Sequence, residues 1–323
     1  MSERAPDPVA GGTEAAAALA DRVVRNLGTA VHASDETLRF PLLCLLSEGH
    51  VLVEDVPGVG KTVLAKALAR SLDLTFHRVQ FTPDLLPADV TGVNVFDRQS
   101  GTFRFRPGPV FANVLLVDEI NRASPKTQSA LLEAMQETQV TVDGATHVLE
   151  RPFLVIATQN PVEYEGTYPL PEAQLDRFAV RMTIGYPPLG DEARMLTEQT
   201  TEPPLDHLEA VAARGEIEAA IEAVRSVHVE ESINRYVVAL LRHTRSSDRV
   251  ALGGSPRSGI ALLRLAKARA LVERRDFVVP EDVQALAAPV LAHRLILAPE
   301  ARATGVTAEE IVADAVASTP VPV

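Results

Sequence analysis

The chain has 323 residues, 46% of them hydrophobic, which suffices for the cores of about two domains. Its 43 acidic against 31 basic side chains leave a net charge of −12, which opposes non-specific nucleic-acid binding and favours protein partners. A single cysteine, Cys44 in the apolar run PLLCLL, excludes a disulfide framework and a thiolate metal site.

Residues 1–12 are polar and contain Pro and Gly, so a disordered N-terminus is expected, without a signal-peptide pattern. No run of about 18 apolar residues occurs, so a cytoplasmic protein without stable membrane insertion is expected. Helical spacing follows over residues 14–27, and Ser34 or Asp35 caps a second helix toward Ser47 that Pro41 is expected to interrupt. Residues 50–53 then read as a strand, and the turn EDVPGVGK leads directly into the helical pattern VLAKALARSL.

That strand, loop and helix make a phosphate cradle. Backbone N–H groups of Gly58, Val59, Gly60, Lys61 and Thr62 converge at a helix N-terminus, where the helix dipole favours an anion. Lys61 is placed to reach the β and γ oxygens of a triphosphate, and Thr62 to offer its hydroxyl to magnesium; Pro57 and Val63 flank the same loop. The pattern GxxxxGK[ST] wants Gly where this chain has Asp55. Asp tolerates positive φ better than most residues, so the turn is expected to survive.

LTFHRVQF reads as a second strand and TPDLLPADVTG as a loop. Residues 93–96 and 102–106 flank DRQSG as a hairpin bearing Arg98, Arg104 and Arg106, which is either a contact arm or a merely solvated hairpin. The apolar run 114–117 has the continuity of a strand buried on both faces, and it delivers Asp118 and Glu119 to the sheet edge where ligands bind. Asp118 could hold magnesium and Glu119 could act as general base on water.

Ser124 and Pro125 open a helix to Glu137, and a second hairpin turns at Asp143-Gly144. RPFLVIATQNP is another buried strand, ending at Asn160, whose amide could orient water or contact the γ-phosphate; Asn before Pro is also ordinary turn chemistry. Arg177 lies on or after a short helix, where an ion pair with Glu172 or Asp176 is the plain alternative to a catalytic role, and a strand follows. Near Pro187 the texture becomes helical to the end, which divides the chain into 13–187, an α/β domain, and 188–323, a helical one. Arg257 sits at the helix start Ser255-Pro256-Arg257, unfavourable for the dipole unless a phosphate is its partner.

Together the strings EDVPGVGKT, RFRPGPVFANVLLVDEINRASPKTQSALLEAMQE, VTVDG, PFLVIATQNPVEYEGTYPLPEAQLDRF and GGSPRSGIALLRLAKA resemble the MoxR family of AAA+ ATPases over residues 50–270. Asp55 resembles a form that this family uses. The resemblance implies a P-loop α/β core, with a parallel sheet flanked by helices and β-hairpin inserts, plus a small all-α lid. It implies ATP and Mg2+ as ligands, Lys61 and Thr62 in Walker A, Asp118 and Glu119 in Walker B, Asn160 as sensor 1 and Arg257 as sensor 2. Arg177 resembles an arginine finger acting on a neighbouring subunit's nucleotide, so a homo-oligomeric ring, a hexamer, is implied. The family also implies chaperone-like remodelling or activation of protein clients, often partners with a von Willebrand factor A domain. A magnesium-chelatase-like subunit, a nucleic-acid motor and a non-hydrolysing nucleotide switch are the competing readings.

Overall fold

Five parallel strands carry the site at their C-terminal edge. In the computed structural model, which describes residues 8–160, 167–187, 190, 192, 193, 195 and 203–322, these are β1 (Val51–Glu54), β2 (Phe76–Gln80), β5 (Val114–Asp118), β8 (Leu154–Gln159) and β9 (Val180–Met182). Their order is β2-β5-β8-β1-β9. β8 therefore lies between β1, which feeds the phosphate loop, and β5, which ends in Asp118. The register pairs Gln80 with Asp118 and Glu54 with Gln159, bringing four strand ends level at one edge. All five residues of β5 are buried, as a strand covered on both faces must be.

One core lies on each side of the sheet. On one side, Val51, Val53, Leu116 and Ile156 pack with α1 (Pro8–Gly28), α2 (Asp35–Leu46), α3 (Lys61–Ser71) and helices from the C-terminal part. On the other, Leu52, Leu115, Val117 and Val155 pack with α5 (Pro125–Glu137). α4 (Pro87–Thr91) and α6 (Glu172–Leu175) are single turns. The C-terminal part holds α7 (Arg214–Ser226), α8 (Glu231–Ser246), α9 (Pro256–Val272), α10 (Pro280–Leu291), α11 (Pro299–Ala303) and α12 (Ala308–Ser318). α1 packs against α7 and α9, so the first helix bridges the two parts.

Four expectations change. α1 begins at Pro8, so residues 8–12 are helical rather than disordered, with Pro8 where a missing N–H costs nothing; residues 1–7 lie outside the described residues. α2 runs through Pro41. An interior proline costs about 3 kcal/mol, but Leu42, Leu43, Leu45 and Leu46 are all buried, at roughly 1.5–3 kcal/mol each, so burial wins. The expected loop TPDLLPADVTG contains α4, started by Pro87 and held by the Asp89 carboxylate on the Leu86 N–H at 2.9 Å. The helical C-terminal part also contains a two-stranded antiparallel ladder, β10 (Val250–Leu252) with β11 (Ile296–Leu297).

Both hairpins form, β3 (Gly92–Asp97) with β4 (Thr102–Pro107) and β6 (Gln139–Val142) with β7 (Ala145–Val148). They are joined to each other: Phe105 stacks on His147 at 3.7 Å between centroids, and Asn94 Nδ2 donates to Asp143 Oδ2 at 2.8 Å. Arg104 pairs with Asp97 at 3.3 Å on the surface, and Phe96 and Phe103 meet edge to face while remaining exposed. Cys44 is buried and free. Among the described residues no helix is long and apolar enough to cross a membrane.

Candidate functional site

The phosphate loop leaves β1 and closes on α3, with Gly58 and Gly60 at φ +89° and +93°. A side chain there would be strained by that backbone, and a Cβ at either position meets nothing within 4 Å, so the loop presents a bare backbone surface. Residues Pro57, Gly58, Gly60, Lys61, Thr62 and Val63 line a cavity of about 380 Å³ together with Asp118, Glu119, Thr158 and Asn160. The structure thus brings the loop, both carboxylates and Asn160 of the sequence reading together around one cavity.

Lys61 donates to the backbone carbonyl of Asp55. Burial pushes its amine below the usual lysine range, while the negative charges of Asp55, Asp118 and Glu119 pull it back up. Asp118 is buried, and each of its oxygens has a partner: Arg78 Nε at 2.6 Å on Oδ2 and the Thr158 hydroxyl at 3.3 Å on Oδ1. Glu119 follows with φ +56°, a left-handed turn that ends the strand. Its N–H donates to Thr158 Oγ1 at 3.0 Å, and its carboxylate pairs with Arg122 at 2.9 Å. Thr158, on the middle strand, therefore fixes both acidic residues at once.

Arg78, Gln80 and Thr158 line the cavity but went unnoticed in the sequence. What brings Gln80 and Arg78 to the cavity is the pairing of β2 with β5, whose ends lie level in the same parallel sheet, and no local pattern in HRVQF encodes it. Thr158 required the strand order, which puts β8 beside β5.

Arg177 and Arg257 lie elsewhere. They line a second cavity of about 220 Å³ with Asp176, Arg264 and Arg294, which shares no lining residue with the first. Arg177 Nη1 donates to the Leu132 carbonyl at 2.7 Å instead of forming the ion pair with Glu172 or Asp176 considered above. Asp176 instead faces Arg294 at 3.4 Å and Arg257 at 4.0 Å. Burial pushes the Arg294 guanidinium down to about 10, with the Asp176 charge opposing that shift. Arg177 Nε and Arg294 Nη1 are buried without a hydrogen-bond partner. Arg257 follows the Ser255 cap and Pro256 at the start of α9, as the spacing predicts.

A family model described as "ATPase family associated with various cellular activities (AAA)" matches residues 50–180, and one described as "AAA lid domain" matches residues 242–315. The chain is 39% identical over 320 residues to the protein named Chaperone MoxR1 of Mycobacterium tuberculosis, covering 96% of this chain and 84% of that one. The chain belongs to the MoxR family of AAA+ ATPases. This MoxR-family chain is also 52% identical over 282 residues to the uncharacterized protein YeaC of Bacillus subtilis, covering 87% of this chain and 88% of the other. A crystal structure of an ATPase candidate from Cytophaga hutchinsonii matches with a TM-score of 0.90 at 36% identity, covering 97% of this chain and 98% of that one. The architecture of the MoxR-family chain is accordingly an AAA domain with an AAA lid.

Proposed function

We propose that this MoxR-family chain hydrolyses ATP to ADP and phosphate with Mg2+, works as a homo-oligomeric ring of six, and uses turnover to remodel or activate protein clients. The observation that carries the reading is the gathering of Lys61, Thr62, Asp118, Glu119 and Asn160 around one cavity floored by a bare glycine loop. The loop amides and Lys61 bind the phosphates, Glu119 takes a proton from the attacking water, and Asn160 orients that water. Thr62 and Asp118 would hold Mg2+, which when bound neutralises phosphate charge. Thr158 and Arg78 keep the Asp118 carboxylate aimed at the cavity edge.

Arg177 and Arg257 belong, in this reading, to the neighbouring subunit's nucleotide. Their cavity is separate from Lys61, and its unpaired guanidinium nitrogens are costly to bury unless an acceptor arrives on assembly. A phosphate presented by the next subunit is such an acceptor. A client or co-factor protein with a von Willebrand factor A domain is proposed from the family resemblance, and the surplus of acidic residues favours protein over nucleic acid.

Glu119→Gln tests the chemistry. Because a positioned general base contributes about 10²–10⁴-fold, turnover is expected to fall by at least about 100-fold while ATP binding, read by calorimetry, stays. Undiminished phosphate release from assembled Glu119→Gln protein removes Glu119 as the base.

A further inference from the structure

Asp55 is the residue at which the phosphate loop departs from its pattern, and the structure gives the departure a task. Asp55 has no positive φ, so the left-handed backbone that a glycine would serve at this position is not used. The side chain is buried, and both its oxygens accept from backbone amides. Oδ1 takes the Val56 N–H at 2.8 Å; Oδ2 takes the N–H groups of Ile184 at 2.7 Å and Gly185 at 2.8 Å.

Those two amides sit just past β9, where the chain leaves the sheet toward the helical part, and Gly185 is at φ +75°. The main chain of the same aspartate is tied to the loop lysine and to the end of β8. Its carbonyl accepts from Lys61 Nζ, and its N–H donates to the Gln159 carbonyl at 3.3 Å, one residue before Asn160. Asp55 is thus the point where the loop lysine, the end of β8 and the exit segment meet.

We propose that Asp55 is a positioning residue that couples occupancy of the phosphate loop to the segment 183–187 leading into the lid. The coupling rests on the reading of residues 51–62 as an ATP-binding loop. Lys61 has two competing partners, the Asp55 carbonyl and an incoming triphosphate. When the phosphate takes the lysine, the Asp55 peptide loses one of its anchors while its carboxylate still grips Ile184 and Gly185. A shift of the loop backbone is then carried directly to the exit segment. Glycine at position 55 would satisfy the general phosphate-loop pattern but would have no grip on 184 and 185.

The test is amide hydrogen exchange at Ile184 and Gly185, with and without a non-hydrolysable ATP analogue and Mg2+, in the full chain and in Asp55→Gly. Affinity for the analogue is measured alongside. In the native chain both amides are expected to be protected without nucleotide and to change exchange rate at least threefold on binding. In Asp55→Gly they are expected to exchange at least tenfold faster and to lose the nucleotide response, with analogue affinity within threefold of native. kcat falls in that variant while KM holds. Asp55→Asn keeps the side-chain shape and one acceptor oxygen, and is expected to weaken the response at least twofold, which serves if Asp55→Gly loses its cooperative melt. A native-like response in either variant overturns the coupling. Failure of the native chain to bind the analogue overturns the ATP reading itself, whereas binding without any response at 184 and 185 overturns the coupling alone.

Discussion

The cavity at Lys61 and the cavity at Arg177 are built on opposite principles. In the first, charges are matched within the chain: Asp118 has Arg78 and Thr158, Glu119 has Arg122, and Lys61 has a backbone carbonyl. In the second, the four arginines Arg177, Arg257, Arg264 and Arg294 share a cavity with two carboxylates, Glu48 and Asp176, and two guanidinium nitrogens are buried unpaired. A site that satisfies itself can bind its ligand alone. A site left with surplus positive charge favours an anion from outside, which is why, in the proposed function, the two cavities are complementary halves of a shared active site.

The largest expected effect separates binding from turnover across the two cavities. Arg177→Ala is expected to keep ATP affinity within a few-fold but to cut turnover by about 10³-fold or more, the range for a residue that stabilises phosphoryl-transfer charge. Arg257→Ala is expected to cost less, about 10–100-fold, as for the loss of one charged hydrogen bond. Steady-state phosphate release beside calorimetric ATP binding checks both; loss of binding in proportion to turnover would place these arginines in their own subunit's site.

A smaller effect concerns stability. His50 borders the arginine cavity with Nε2 on the Met135 carbonyl and Nδ1 accepting from the Val155 N–H, both at 3.0 Å, and burial holds it down at about 4. His293, which touches the Phe178 carbonyl at 3.1 Å, is held at about 3, by burial first and then by the Arg294 charge. Both folded values lie below the unfolded value of 6.5, so between those limits the unfolded chain binds the extra protons. Stability is complete above pH 6.5 and falls as the pH drops toward 4, by about 2 kcal/mol per histidine at pH 5. Thermal melts at pH 7.5 and 5 are expected to show a lower Tm at pH 5, and His50→Gln a shallower dependence.

The same contrast explains what the sequence could disclose. The phosphate loop, Asp118, Glu119 and Asn160 were legible because each follows from a local signal: a glycine turn before a helix, or an apolar run ending in a polar residue. Both hairpins and the Ser124 and Ser255 caps were legible for the same reason. Thr158 was hidden because its role depends on strand order, and Arg78 because nothing in HRVQF distinguishes an arginine aimed at a carboxylate from one in solvent. Asp55 was read for its φ preference, whereas its carboxylate bonds to amides about 130 residues away in the chain, which no local pattern encodes. Arg257 was expected beside a phosphate, and only tertiary placement puts it with Arg177. Pro41 was read as a helix breaker, yet burial of its leucine neighbours outweighed it.

The most direct test of two half-sites is a mixing experiment with Glu119→Gln and Arg177→Ala protein, each inactive alone. Co-assembly is first demonstrated by exchange of labelled subunits, and phosphate release is then followed as the ratio of the two variants is changed. The account predicts recovered turnover that peaks near equal proportions, because an interface with an intact Glu119 on one side and an intact Arg177 on the other then forms. Mixed rings that stay as inactive as either parent at every ratio would contradict it.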